Sequence, residues 1–209
     1  MNPIITADVE QQRPVLGHVG LMVDTLLSNA SLDDLRSFAR ATLASSPPDV
    51  AVTFTKAARF HLAKTGAMRP PAAGSLFLQL GGPGTDEWDP TDELASVLSR
   101  CRMLYGAGMG VDALNVLTDV VKDSVGVRWK EDSRMEEALA HVDADICQAI
   151  QSAKEEMDRV GGKGADVGAA RKAREKLRDA LMGSREYAEG WGGEYPFQRA
   201  LSSVDLWKL

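Results

Sequence analysis

The feature that most constrains this chain is an apolar run between Met135 and Val160. Met135, Leu139, Val142, Ile146, Ala149, Ala153, Met157 and Val160 are spaced by four and three in near-perfect alternation. That spacing puts all of them on one stripe of a helix, because about 3.6 residues make a turn. The stripe extends over about four heptads, as in the seam of a coiled coil. Ser133 and Glu136 stand before it as a capping-box pair. Gly161-Gly162-Lys163-Gly164 breaks the pattern and reads as a turn. Beyond it Val167, Ala170, Ala173 or Arg174, Leu177 and Leu181 repeat the seam. Two long amphipathic helices joined by a short turn make an antiparallel hairpin, here running from about Ser133 to about Tyr187. Ala169, Ala170, Ala173 and Ala180 on the second arm predict a close approach of the two axes.

Three shorter helices are expected before it. Val15, Leu16, Val19, Met22, Val23, Leu26 and Leu27 recur at helical spacing from about Arg13 to Ser28, with Pro14 suited to the first turn. Ser31, three residues before Asp34, caps a second helix whose buried stripe would be Leu32, Leu35, Phe38, Ala39 and Leu43. Ser46-Pro47-Pro48-Asp49 opens a third, with Val50, Phe54, Ala57 and His61 or Leu62 inward and Gly66 ending it in a left-handed conformation. With very short turns between them, the three should pack as a compact bundle.

Residues 67–89 break this order. Met68-Arg69-Pro70-Pro71 and Gly81-Gly82-Pro83-Gly84 enclose the run 75–80, read as one extended segment against the helices. Asp89-Pro90-Thr91-Asp92 starts another helix, with Leu94, Val97, Leu98, Cys101, Leu104 and Tyr105 inward. Gly106-Ala107-Gly108-Met109-Gly110 interrupts it. A further helix from about Val111 to Val125 buries Val111, Leu114, Leu117, Val121 and Val125. The tail from Trp191 onward reads as an aromatic strap over the helices. The fold class is therefore all-α: a multi-helix bundle with an N-terminal three-helix unit (9–66), a loop or linker (67–89) and a helical unit (90–209) that can share one core with the first. Aromatics at only 6% suit helices packed on small residues better than a β-sandwich.

The motifs that suggest chemistry fail on inspection. Gly106, Gly108 and Gly110 follow a helix rather than a strand, so the string lacks the setting of a dinucleotide fold. The Gly161–Gly164 turn has Met157 where a phosphate loop needs glycine, and Gly164 where it needs serine or threonine. Glu137, His141 and Asp145 share a stripe, with Asp143 nearby, but the di-iron spacing of bundles is three and needs facing carboxylates. These charges read as a solvated face, and no metal or cofactor is expected. His18 and His61 read as packing residues, and Cys101 and Cys147 as buried free thiols.

The net charge of −6 and pI near 5.1 argue against a general nucleic-acid binder. A local basic cluster, Arg171, Lys172, Arg174, Lys176 and Arg178, with Arg159 and Lys163 toward the hairpin tip, is offset by acidic neighbours: seven basic against six acidic residues over 155–179, a net +1. Intrahelical pairing and a solvated face account for it. No secretory signal pattern opens the sequence and no run is long enough to span a membrane, so an intracellular setting is expected. The leading expectation is an interaction or assembly module that binds another protein or a second copy of itself, without catalytic chemistry. Its contact residues would be Lys163, Arg171, Lys172, Arg174, Arg178, Trp191, Tyr195 and Phe197. Two alternatives stand beside it: an enzyme or small-molecule binder with a pocket between the helical units, and a nucleic-acid contact along the basic side of the hairpin.

Overall fold

The computed structural model describes residues 18–81, 87–159 and 166–209. Among them are eight helices and one two-stranded antiparallel ribbon. The chain divides into two compact units, Met1–Val52 and Thr53–Leu209.

The smaller unit holds α1 (His18–Asn29), α2 (Leu32–Ser45) and the start of α3 (Pro48–Lys64). The expected capping box forms at α2. The Ser31 hydroxyl accepts from the Asp34 amide at 3.1 Å, and the Asp34 carboxylate accepts from the Ser31 amide at 3.1 Å. The expected buried stripe does not form. No residue of α2 is buried, and Leu32 and Phe38 remain 62% and 40% exposed. Periodicity places apolar residues on one face; it does not supply a surface to cover that face.

The larger unit contains the whole buried core. Its part of α3 ends at Gly66, whose φ of 72° gives the left-handed turn expected of a glycine there. Arg59 reaches from α3 to the connection between α4 (Asp92–Gly106) and α5 (Gly110–Asp123). Its guanidinium donates to the Ala107 and Gly108 carbonyls at 2.7 and 2.9 Å. The segment 75–80 contributes β1 (Phe77–Gln79). It pairs with β2 (Trp88–Pro90), a strand the sequence gives no sign of, with Leu78 opposite Asp89. Proline fits there because the last residue of a short ribbon needs no further ladder bond. Thr91 caps α4, its hydroxyl accepting from the Leu94 amide.

α5 is buried on nearly all sides, with Ala113, Leu114, Val116, Leu117, Thr118, Val120 and Val121 all enclosed. It packs against α4 and against both arms of the hairpin, α6 (Arg134–Arg159) and α7 (Val167–Trp191). The arms meet chiefly through α5 and α8 (Gln198–Asp205) rather than along a shared seam. The alanines of α7 therefore serve an approach to α5. Gly110 sits where a Cβ would fall onto the Ala153 backbone and within 2.8 Å of the Ala149 carbonyl. α5 and α6 are in backbone contact at that point.

The seam itself is buried. Met135, Leu139, Val142, Ile146, Ala149 and Ala153 are fully enclosed, as are Leu177 and Leu181 on the second arm. Ser133 caps α6 through the Glu136 amide at 3.2 Å, while Glu136 reaches the amide of Asp132 at 2.7 Å. Two inward assignments fail at helix ends, where the stripe runs past its cover: Val125 and Val167 are exposed. The turn at 161–164 lies outside the described residues. The second arm continues past Tyr187 to Trp191 and stops at Gly192, whose φ is 78°. The tail is helical rather than a strap. α8 packs on α6 and α7 and buries Ala200, Leu201 and Val204, with Phe197 and Trp207 enclosed at its two ends.

Candidate interaction surface

Large apolar residues without cover lie on α1 and α2, as they do on α3 at Phe60 and after α8 at Leu206. Met22 is 73% exposed, and Val23, Leu26 and Leu27 follow on the same helix, all at least 46% exposed. At about 100° per residue these four fall on one face of α1. Leu32, Leu35, Phe38, Ala39 and Leu43 fall likewise on one face of α2, and none is buried. Each stripe runs along its own helix, and an uncovered apolar helix face is a candidate for contact with a partner. The sequence located this stripe but assigned it to an internal core.

The polar groups inside the larger unit are, by contrast, mostly paired. Asp145 accepts from Arg102 Nε at 3.1 Å and from the Tyr105 hydroxyl at 3.0 Å. Its side chain is nearly buried while that of Arg102 is half exposed. Burial, and then the bond to Asp145, pushes the Tyr105 hydroxyl up to about 12. The neighbouring Cys101 thiol is also pushed up to about 12, by burial first and then by the charge of Asp145. Asp143, also buried, accepts from Arg199 at 2.7 Å and from the Ala200 amide at 2.8 Å, so a side chain of α6 caps the start of α8. Asp143 and Asp145 thus belong to packed interfaces rather than to the solvated face expected of them. Glu137 and His141 are exposed. Among the described residues no three His, Cys, Asp or Glu side chains are grouped to hold a metal.

The Gly106–Gly110 connection has its polar groups occupied. Arg59 takes two of its carbonyls, and Glu156 accepts from the amides of Gly110 and Val111. A carboxylate therefore already stands at the start of α5, the place where a bound anion would sit. Burial raises the Glu156 carboxyl above its ordinary value, with Arg59 acting in the opposite direction.

Five clefts lie among the described residues of the larger unit, and two of them bear on the site. One of about 350 Å³ is lined mainly by Phe54, Ala58, Leu62, Met103 and Ala107. The other, of about 270 Å³, lies beside Trp129, Glu136, Tyr195 and Arg199. The first is mainly apolar, with Thr55 and His61 as the polar side chains on its wall. In the second, the carboxylate of Asp143 is held by Arg199 and the Ala200 amide.

The residues named from sequence as contacts divide. Arg171 and Lys172 are exposed on α7. Arg174 is half-buried, with its Nε enclosed and unpartnered among the described residues. Arg178 pairs with Asp205 at 2.8 Å. Lys163 lies outside the described residues. Trp191 is half-buried, with Trp129 edge-on at 5.2 Å and the Arg128 guanidinium 6.0 Å from its ring centre. Tyr195 donates to the Leu181 carbonyl at 3.1 Å, and burial raises its hydroxyl well above the ordinary value. Phe197 is fully buried and packs edge-on to Tyr195. The aromatic tail thus works mainly in the core. No described helix is long and apolar enough to cross a membrane. Comparison of the chain with family models, with curated proteins and with solved structures gives no match.

Proposed function

We propose that the chain is a helical interaction or assembly module whose contact surface is the apolar face of α1 and α2. One observation carries this reading: a pair of amphipathic helices, the second of them capped by Ser31, without a single described side chain buried. Helices of 12 and 14 residues are marginal in water unless an apolar face is covered. Among the described residues the core of the larger unit begins at Ala58, so it draws on neither of these helices. The test pairs light scattering of the purified chain at micromolar concentration with capture from native extract, each repeated with Leu27→Glu. The expected result is a complex, homomeric or mixed, that the substitution abolishes. A strictly monomeric chain that captures no protein would overturn the reading.

A further inference from the structure

Independently of that reading, we infer that the cleft lined by Trp129 and Tyr195 in the larger unit is a binding site for an alkylammonium ion. The first argument is charge. Glu136, Asp143 and Glu194 line this cleft of about 270 Å³, against a single cation, Arg199. That cation is already matched, its Nε donating to the buried Asp143 carboxylate at 2.7 Å. Glu136 accepts from the Asp132 amide at 2.7 Å, and neither it nor Glu194 has an ion pair among the described residues. The cations of the neighbouring chain are engaged elsewhere. Lys130 pairs with Glu87, Arg134 with Asp89 and Arg185 with Glu189, while Arg128 sits 6.0 Å from the Trp191 ring centre. An anion entering the cleft meets a surplus of like charge, whereas a cation is drawn in.

The second argument is the aromatic wall. Trp129 and Tyr195 are both half-buried. The Tyr195 hydroxyl is committed to the Leu181 carbonyl at 3.1 Å, so what this residue offers a ligand is its ring. The faces of Trp and Tyr rings attract organic cations, and alkyl groups on the nitrogen add apolar contact. A metal ion fits less well, since the carboxylates of the cleft are not grouped closely enough to hold one among the described residues. The third argument is size. The cleft falls just below the ~300–1,000 Å³ of drug-sized pockets, which suits a compact headgroup. Glu194 and Tyr195 also line a second cleft of about 460 Å³, with Leu201 on its wall, where a chain attached to the nitrogen has room to continue. The same ammonium chemistry is found in free amines and in the methylated lysines of proteins.

The experiment titrates the full chain with choline, with its uncharged tert-butyl analogue and with a short peptide carrying trimethyllysine, and reads tryptophan fluorescence and nuclear magnetic resonance shifts. Choline should bind at millimolar concentration and shift the indole resonance of Trp129. The uncharged analogue should bind about tenfold more weakly, the worth of a partly desolvated cation–π contact. Glu194→Lys, at an exposed position outside the helices, should weaken choline by at least about tenfold and leave the thermal transition in place. Trp129→Leu should abolish binding; where that variant loosens the fold, Glu194→Lys and the uncharged analogue decide. A peptide that binds about tenfold tighter than choline assigns the ammonium group to a methylated lysine, and one that binds no tighter assigns it to a free amine. Equal affinity for choline and its uncharged analogue, unchanged affinity in Glu194→Lys, or no shift of Trp129 at millimolar choline overturns the inference. None of these outcomes bears on the assembly reading, which Leu27→Glu tests on α1.

Discussion

At the scale of single residues, the buried carboxylates are the least expected feature. Asp145 sits in a stripe whose neighbours Glu137 and His141 are exposed, and nothing in the spacing distinguishes it. What sets it apart is Arg102 and Tyr105, 43 and 40 positions earlier in the chain. Asp145→Asn should cost about 1.5–3 kcal/mol in urea unfolding, the range for hydrogen bonds to a charged group. The lower end is favoured because the half-exposed Arg102 regains water when released. Cys101 gives a second prediction. Burial pushes its thiol and the Tyr105 hydroxyl up to about 12, well above their ordinary values. The native state therefore keeps protons that the unfolded chain gives up, and stability falls as pH rises above about 9. Thermal scans between pH 8 and 11 should show that decline, at most about 1.4 kcal/mol per pH unit for the buried Cys101 and less for Tyr105, which solvent screens. Cys101→Val should make it shallower. In the native protein iodoacetamide should label the half-buried Cys147 and leave Cys101 until unfolding.

At the scale of elements, caps and breakers carried most of what could be read in advance. Ser31 with Asp34, Ser133 before Glu136, and Gly66 each mark a helix end that physical chemistry ties to a residue type. The arms of the hairpin are equally legible, since a long 3.6-residue period has no other use. Their neighbours are not. Small residues on α7 signalled a close approach, read from sequence as one to the first arm, and the helix they approach is α5 instead. Its own sign was present in the sequence: only Asp112, Asn115, Asp119, Lys122 and Asp123 are strongly polar over Gly110–Asp123, so a helix apolar on most sides belongs in the middle of a fold. The close approach to α6 is testable. Gly110→Ala should lower the urea midpoint by the equivalent of about 1–3 kcal/mol, as overpacking against backbone cannot relax. Gly106→Ala, with open space around its Cβ, should be neutral or slightly stabilising. Equal losses in the two variants would show that the contact at Ala153 is unimportant.

At the scale of the whole molecule, the core and the candidate surface lie in different parts of the chain. Every buried residue from Leu62 to Trp207 belongs to the larger unit. A fragment of residues 46–209 should therefore keep a cooperative thermal transition within a few degrees of the full chain, with its near-ultraviolet tryptophan signals intact. A broad transition or lost signals would mean that α1 and α2 support the core. The sequence by itself determined the helical class, the long hairpin, most helix ends and the existence of an apolar stripe on each N-terminal helix. These follow from backbone geometry and the periodicity of a single segment, and both are local. Only the tertiary structure decided that α5 stands between the hairpin arms, that Asp143 and Asp145 are interior, that the aromatic tail is core, and that α1 and α2 leave their stripes open. Each of those depends on which surface meets which, and a stripe carries no record of its partner.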